Sequence, residues 1–527
     1  MPCTAHHRLR TRSVCWLRAV CPIPFLTSNV LKLGYFEEEL QLALSTIRTL
    51  RNAGLAAINR LPQEVLALIP THFDPKTPRD TLTASHVCRY WRAALMSSPT
   101  LWAIMDTTCM IPPLTLLYLD RSRASPLDIT LGVKTPEYIL QQFVDRAPQI
   151  RLLSFEMVPW HRWKAISERF SASALYTLLN LRISVSTRFG SKLLDSAQFP
   201  HASNLRHLFI QIAGPGAPIF PHIRFPSLTT IQITWKTGYT ITDRSSAISI
   251  HPVTLGHLLD TLRSSPLLED VSITLHGLIL VPRPGASYHP VPLPRLRDFF
   301  ITCSHTPFPL LTSFDFPPTA CVLARTGREG ECPSRDRMFS LGQRLSPLIS
   351  GSDELIFYSS DAFVFTLRFN RGGETRVQFE YLLMNPPMSL EQSLTFLEAC
   401  SLDTIRRFAI GGRRVRRDVT NDQVSGTMRN LTNIETLLLG GCLHILPLLL
   451  PAVQGGRLPC PTLKTLAIDD NQDLPLQKLI QVLRVRAEAG FPLERVVLRA
   501  WHFERVPSEL RQFVENVECG LDADFRI

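Results

Sequence analysis

The segments INRLPQEVLALIP (58–70) and LTASHVCRYWRAALMSSPTLW (82–102) decide how the front of the chain folds. Pro62 suits the beginning of a helix, where its missing N–H would have no partner in any case. Pro70 ends that helix after about two turns, because the residue before a proline avoids the helical region. The first segment therefore predicts one short helix between two prolines.

A second helix is predicted from about residue 80 to residue 96. Its apolar side chains are spaced to share one face, and they are Leu82, Val87, Trp91 and Leu95. Leu101 and Trp102 then close the unit. Such short helical pieces bury too little surface to be stable alone. The block therefore needs a neighbour or a partner.

This block resembles an F-box over residues 58–102, and more loosely through 116–131. The residues that carry the resemblance are Leu61-Pro62, Glu64 to Leu66, Val87-Cys88-Arg89, Trp91-Arg92 and Leu101-Trp102. It is most similar to fungal, basidiomycete-type F-box proteins, although the proline-rich loop 70–78 departs from their motif. The resemblance implies docking on the Skp-type adaptor of a cullin-RING ubiquitin ligase. The residues implied at that contact are Leu61, Pro62, Val65, Leu66, Ile69, Leu82, Val87, Cys88, Trp91, Leu101 and Trp102.

Downstream, an apolar-x-x-apolar-x-apolar template recurs. Its members start at Ile150, Leu178, Leu205, Leu228, Leu268, Leu296, Ile405, Ile434, Leu463 and Leu493. The steps are 28, 27, 23, 40 and 28 residues, then a gap of 109, then 29, 29 and 30. One such unit cannot bury its apolar face and must stack on its neighbours. The array resembles degenerate leucine-rich repeats. The predicted fold class is α/β, with a three-helix F-box followed by an irregular leucine-rich-repeat solenoid with a β-hairpin insertion.

The gap predicts an insertion at about residues 305–385. Its first part, 308–337, is rich in Pro, Gly and charge without a period, which is typical of a loose surface segment. Two alternating apolar runs flank the Gly372-Gly373 turn and predict the hairpin. The residues of these runs are Phe363, Phe365, Leu367 and Phe369, then Val377, Phe379 and Tyr381.

The F-box is assigned to residues 57–106 and the solenoid to residues 107–527. Two further segments are predicted ahead of the F-box. Residues 1–36 carry basic residues and no acidic one, which predicts a disordered basic leader or, alternatively, a transit peptide. Residues 37–56 predict an amphipathic helix with apolar side chains at Leu40, Ala43, Leu44, Ile47 and Leu50. Its acidic start and basic end suit the helix dipole.

The amino-acid composition limits which classes of protein this chain can belong to. The 527 residues are 45% hydrophobic with a net charge of +11, which indicates a folded protein rather than a polytopic membrane protein. Twelve scattered cysteines without a CxxC pair indicate a reducing compartment, hence the cytoplasm and/or the nucleus. No phosphate loop, nucleophile elbow or metal spacing is present, so neither an enzyme nor a cofactor is expected.

Arginine-rich residues 406–417 fit either a polyanion-binding patch or a solvated strand end. Nucleic-acid binding would need basic residues interleaved with stacking aromatics, so it is not favoured, and no membrane partner is expected.

If the strands line a solenoid, the polar positions between their buried residues face its concave side. Their mixed chemistry suits a protein target better than DNA, which selects a uniformly basic face, but a plain solvent face looks the same. The sequence thus favours a substrate-recognition adaptor of an SCF-type (Skp-cullin-F-box) E3 ubiquitin ligase; the alternative is a stand-alone repeat-based interaction module. The predicted target-binding residues are His207, Phe209, Gln211, Thr230, Gln232, Asp270, Asp298, Phe300, Arg407 and Arg495.

Overall fold

The structure is a computed structural model of the 527-residue chain. It describes residues 24–55, 57–74, 77–186, 202–213, 225–236, 248–250, 252–276, 278–280, 289–303, 308–326, 335–360, 364–382, 395–412, 424, 427–428, 430–451, 458–469, 476–499 and 508–519. The chain divides into two compact units. The first comprises residues 1–104 and 117–125, and the second comprises residues 105–116 and 126–527.

The first unit is helical. Its α-helices are α1 (Pro24–Leu55), α2 (Gln63–Leu68), α3 (Pro78–Ala84) and α4 (Arg89–Met96), with 3-10 helices at Ala57–Arg60, Ile69–His72 and Pro99–Trp102. Helix α5 (Pro112–Ser122) crosses the boundary, and its residues 117–122 belong to this unit. Helix α1 begins 13 residues before the predicted start at residue 37, so residues 24–36 of the predicted leader are helical. Residues 1–23 lie outside the described part of the chain.

The single helix predicted over residues 80–96 was wrong, because the chain breaks between α3 and α4. The Ser85 hydroxyl donates to the Leu82 carbonyl oxygen at 2.6 Å, and Cys88 is extended (φ −158°). Arg92 Nε donates to the Ser85 carbonyl oxygen at 3.1 Å, which satisfies an acceptor at the end of α3. The break leaves Val87 62% exposed, away from the buried Trp91.

The second unit is a mixed α/β structure with a large, mostly parallel sheet. Its helices are α6 (Glu137–Asp145), α7 (Trp160–Ser171), α8 (Pro252–Arg263), α9 (Phe308–Leu311), α10 (Arg335–Ile349) and α11 (Leu476–Glu488), with 3-10 helices at Ala147–Gln149, Leu443–Leu449 and Leu510–Gln512. The strands are β1 (Ile104–Asp106), β2 (Leu127–Leu131), β3 (Ile150–Pro159), β4 (Asn180–Ser186), β5 (His207–Ala213), β6 (Thr230–Lys236), β7 (Ile248–Ile250), β8 (Asp270–His276), β9 (Leu278–Leu280), β10 (Val291–Pro292), β11 (Asp298–Cys303), β12 (Phe314–Asp315), β13 (Cys321–Thr326), β14 (Glu354–Ser360), β15 (Val364–Arg371), β16 (Glu374–Leu382), β17 (Arg407–Gly412), β18 (Thr436–Gly440), β19 (Thr465–Asp469), β20 (Arg495–Arg499) and β21 (Asn516–Cys519).

Seventeen of these described strands form one sheet in the order β1-β2-β3-β4-β5-β6-β8-β11-β13-β16-β15-β14-β17-β18-β19-β20-β21. Strand β15 runs antiparallel to both of its neighbours, while the registered pairs from β2 to β13 and from β17 to β21 are parallel. Two further two-stranded parallel sheets are formed by β7 with β9 and by β10 with β12.

The starts of the sequence template coincide closely with the starts of the strands. Nine of the ten template starts lie two residues before a strand, as Leu205 does before β5, and Ile150 opens β3 itself. A turn recurs at several of these starts, where the backbone N–H donates to the carbonyl three residues earlier: Leu205 to Ala202, Leu228 to Phe225, Leu296 to Leu293 and Leu463 to Cys460. Each strand then turns alternate apolar residues to the buried side.

The core of the second unit lies on the side of the sheet that carries this apolar row. Leu208, Ile210 and Ile212 of β5 are buried, and the neighbouring strands repeat the pattern. On β3, Phe155 meets Trp163 and Phe170 of α7 edge to face, with ring centroids 4.7 and 6.2 Å apart. Such aromatic pairs stabilise packing beyond the area they bury.

The region 305–385 was only partly predicted. The prediction of a loose segment was wrong, since β13 joins the main sheet and buries Val322 and Ala324. The template misses this strand because its first position, two residues before the strand, is the polar Thr319. The hairpin is confirmed: β15 and β16 are antiparallel, and Gly372 and Gly373 turn with φ of 57° and 83°, which favours glycine. Phe363 lies outside the described residues, and nothing is described of the side chains of Phe365 and Tyr381.

No helix of the described residues combines the length and the apolar character needed to cross a membrane.

Arg486 of α11 ties its helix to the preceding turn. The side chain is fully buried, and its guanidinium donates to the carbonyl oxygens of Pro459 and Cys460 at 3.0 and 2.9 Å. Burial lowers the pKa of Arg486. Without the guanidinium, the Pro459 carbonyl oxygen would lose this donor, and the Cys460 carbonyl oxygen would keep only the Leu463 N–H at 3.1 Å.

We therefore expect Arg486→Leu to lower the free energy of unfolding of the second unit by about 2 kcal/mol or more, because hydrogen bonds made by a charged group are worth about 1.5–3 kcal/mol each. The exposed Arg484 on the same helix, whose guanidinium lies over the Phe513 ring at 5.7 Å, is the control. Its Leu variant should lose less than about 1 kcal/mol. Urea denaturation followed by circular dichroism measures both, and equal losses would contradict this role of Arg486.

Candidate functional site

The eleven residues implied at the adaptor contact separate into exposed and buried groups. Pro62, Val65 and Val87 are exposed, with Val65 at 41%; Leu66, Trp91 and Trp102 are buried. The others, Leu61, Ile69, Leu82, Cys88 and Leu101, are half-buried. The three buried side chains pack the core of the unit, and their part in adaptor docking stays a prediction.

Helix α2 presents an apolar face that sequence reasoning identified only in part. Leu68 is 59% exposed and lies three residues after Val65, so the two share one side of the helix. Leu68 was missed, although its spacing from Val65 was available as a signal. Exposed apolar side chains at this spacing are the kind of surface that a partner protein covers. Pro62, Val65 and Leu68 are called the α2 face.

Side-chain hydrogen bonds hold the loop before α2. The Tyr90 hydroxyl donates to the Leu61 carbonyl oxygen at 2.8 Å, which links α4 to the residue that precedes Pro62. Leu66 of α2 and Leu95 of α4 are both fully buried. The orientation of the α2 face therefore depends on α4.

Trp102 is the central packing residue of the first unit. Its indole N–H donates to the Leu95 carbonyl oxygen at 2.9 Å, and its ring meets Tyr118 edge to face at 4.9 Å. Arg121 lies 4.4 Å from the centre of the Trp102 ring. Burial raises the pKa of Tyr118. Residues 117–125 thus complete a core that residues 58–104 could not close alone.

The second unit has a polar surface on the side of the sheet opposite its core. Across β5, β6, β8 and β11, two rows run in register: His207, Thr230, Asp270 and Asp298, then Phe209, Gln232, Ser272 and Phe300. Gln211 continues into a third row with Thr234, Thr274 and Thr302. We call these twelve residues the open face, because each is half-buried or exposed.

Eight of the ten predicted target-binding residues lie together on the open face. Arg407 and Arg495 do not, because four strands separate β17 from β11. Their charges are also engaged: Arg407 Nε lies 3.7 Å from Glu354 Oε1, and Arg495 Nε donates to Glu518 Oε1 at 2.9 Å. The threonines of the third row were missed, and the strand alternation extended by two residues would have found them.

The chemistry of the open face is mainly hydroxyl and amide. Thr230 Oγ1 donates to Asp270 Oδ2 at 3.3 Å, which places a polar contact inside the first row. At its border, the guanidinium of Arg325 lies 5.5 Å from the centre of the Phe300 ring and pairs with Glu380 at 2.6 Å. Such a surface can donate and accept hydrogen bonds and stack on apolar groups.

The metal-ligating side chains and the thiols of the described residues are the groups on which a metal site or a reactive cysteine would depend. No group of three or more His, Cys, Asp or Glu there is arranged to hold a metal ion. Burial raises the pKa of the Cys460 thiol to about 11 and also raises the pKa values of Cys303 and Cys400, so these thiols stay protonated at neutral pH. Of the arginine-rich stretch, residues 413–417 lie outside the described residues.

A comparison with protein families identifies the helical block. The F-box-like family matches residues 58–108. The chain therefore contains an F-box-like domain near its N-terminus, which supports an F-box protein. F-box domains generally bind Skp-type adaptors. A comparison with curated proteins gives no match.

We expect Trp102→Ala to destabilise the first unit by about 3–5 kcal/mol, because it removes a fully buried ring and its hydrogen bond. Hydrogen exchange of peptides from α2 to α4, followed by mass spectrometry, should accelerate accordingly. Val87→Ala, at an exposed position, is the control and should change exchange little. Unchanged exchange in Trp102→Ala would contradict the central role of this side chain.

Proposed function

We propose that the chain is a substrate-recognition adaptor of an SCF-type ubiquitin ligase, without a bond-making reaction of its own. The F-box-like domain docks the Skp-type adaptor, and the second unit binds a protein target. The observation that carries the proposal is the F-box-like match at residues 58–108 together with the exposed apolar α2 face in the same segment. We place this function in the cytoplasm and/or the nucleus.

The α2 face supports the docking half of the proposal. Covering Val65 and Leu68 removes apolar surface from water, and a fully buried Val or Leu is worth about 1.5–3 kcal/mol. Leu66 and Trp91 behind them are buried, so the face can dock without rearranging its own core. A short helix that presents anchors three residues apart fits a groove on a partner.

The second unit supports the target-binding half. We interpret its strands, spaced by 23 to 40 residues in the sequence, as degenerate leucine-rich repeats in a solenoid, of the kind that accompanies F-boxes in fungal proteins. The mixed hydroxyl, amide, aromatic and acidic groups of the open face are complementary to a protein surface. DNA would select a uniformly basic face, which Asp270 and Asp298 disfavour.

The mechanism that follows is proximity. A chain that holds the ligase through one unit and a target through the other raises the effective concentration of target lysines near the charged conjugating enzyme. The chain's own side chains then need only to bind and to orient. This role explains why no catalytic group has to be assigned to the open face.

We expect Leu68→Asp, alone or with Val65→Asp, to reduce capture of the Skp-type adaptor by about tenfold or more, because a charge would enter an apolar contact. Capture is measured by co-purification and by titration of the purified adaptor. Gln63→Asp is the matched control, since Gln63 is exposed on the opposite side of α2. All three variants should keep the wild-type melting temperature, because the altered residues are exposed.

Two results of the capture experiment would contradict the proposal. Equal capture by wild type and by Leu68→Asp would remove the α2 face from the contact. No capture even by wild type would favour a stand-alone interaction module.

We expect Phe209→Ala with Phe300→Ala to preserve adaptor capture and thermal stability but to lower ubiquitination of bound targets, because the open face loses both aromatic contacts. The measurement compares ubiquitin-modified proteins that co-purify with the wild type and with the variant. Arg495→Ala, which lies far along the sheet, serves as the control. Loss of adaptor capture in the open-face variant would contradict the division of labour between the two units.

A further inference from the structure

Helix α1 carries an exposed apolar stripe with a seven-residue repeat. Its members alternate in steps of three and four residues: Leu33, Phe36, Leu40, Ala43, Ile47 and Leu50. Every one of them is exposed, Ile47 to 62%. Alternating steps of three and four keep apolar residues on one narrow seam, which is the pattern of paired helices. The stripe spans about 27 Å at 1.5 Å per residue. These six residues are called the α1 seam.

The charges of α1 are not explained by its own dipole. Glu37, Glu38 and Glu39 lie 13 residues or more after the first residue, Pro24, and the first turn holds no acidic residue. The dipole acts on charges within the first and last turns only. The sequence interpretation of the acidic start as a dipole effect was therefore wrong, because the helix begins earlier than predicted. The charge pattern needs another reason.

The charges are complementary to those of a second copy placed in the opposite direction. Acidic residues 37–39 lie in the middle of α1, and basic Arg48 and Arg51 lie toward its end. A parallel pair would bring each group level with the same group of its partner. An antiparallel pair brings acidic residues level with basic ones, and it also opposes the two helix dipoles favourably.

We propose that α1 pairs antiparallel with α1 of a second copy of this chain through residues 40–50 of the α1 seam, which makes the protein a homodimer. With the crossing centred near Ser45, Leu40 packs against Leu50 of the other copy, and Ala43 packs against Ile47. Glu37 of each copy then flanks Arg51 of the other copy, which gives one such pair at each end of the overlap. The dimer gives each assembly two F-box-like domains and two open faces. It requires neither adaptor nor target.

Sedimentation equilibrium of the purified full chain over a range of concentrations tests the pairing. The wild type should approach twice the chain mass of 59.5 kDa. Ile47→Glu should raise the dissociation constant at least tenfold, because it buries a charge in the seam. Leu42→Glu is the matched control: Leu42 is 63% exposed on the same helix but lies off the seam, so this variant should remain a dimer. Both variants should melt like the wild type.

Charge exchange tests the direction of the pair. Glu37→Arg should weaken the dimer at low salt, and adding Arg51→Glu should restore it if the helices are antiparallel. A parallel pair would not be rescued by the second change.

Three results would overturn the proposal: a monomer at every concentration, equal loss of the dimer in Leu42→Glu and Ile47→Glu, or a dimer that survives Ile47→Glu. Adaptor capture is measured separately on the same samples. A dimer that captures no adaptor leaves this inference intact while removing the proposed function, and a monomer that captures adaptor does the reverse.

Discussion

The in-register parallel ladder of backbone hydrogen bonds is the constraint on which the second unit depends. One strand of seven residues, such as β5, buries Leu208, Ile210 and Ile212 only when its neighbours extend the same apolar row on either side. Each added strand therefore pairs the backbone groups of the last one and continues its core at the same time. The consequence for function is geometric. A fixed register on the buried side also fixes the rows of alternate residues on the other side of the sheet. The twelve residues of the open face, His207 among them, are brought together in this way.

The first unit obeys a different constraint, because a few short helices have little surface to bury. Its core depends on large side chains from distant parts of the chain. Trp102 closes it against Tyr118 and Arg121, which come from the far half of α5. Apolar residues are then left over on the outside, at Val65 and Leu68. A unit that has satisfied its own core and still exposes apolar side chains in a regular spacing has the physical character of a docking module, which agrees with the F-box-like match over the same residues.

The two proposed contacts of the first unit differ in kind. The α2 face is short and apolar, with buried Leu66 directly behind it, so it fits a preformed groove. The α1 seam is long, and the charges of its helix are arranged along its length, so it fits another helix of opposite direction. The open face of the second unit is different again, since hydroxyl, amide and carboxylate groups outnumber its two phenylalanines. Under these proposals, apolar anchors supply affinity to the first two surfaces, whereas directed hydrogen bonds supply selectivity to the third.

The sequence by itself determined the elements whose signals are local. Pro62 and Pro70 marked the helix α2, the Gly372-Gly373 turn marked the hairpin, and the spacing of the template marked where nine strands begin, because these features depend on backbone preferences and on a period of two along a strand. Only the tertiary structure decided which apolar residues are core and which are surface. Trp91 and Val87 share one sequence signal, yet a break before Cys88 buries the first and exposes the second. Strand β13 escaped the template because the polar Thr319 stands at its first position, and only the pairing with β11 and β16 shows that it belongs to the sheet. Burial depends on contacts with residues that are distant in the sequence, and a local sequence pattern does not contain that information.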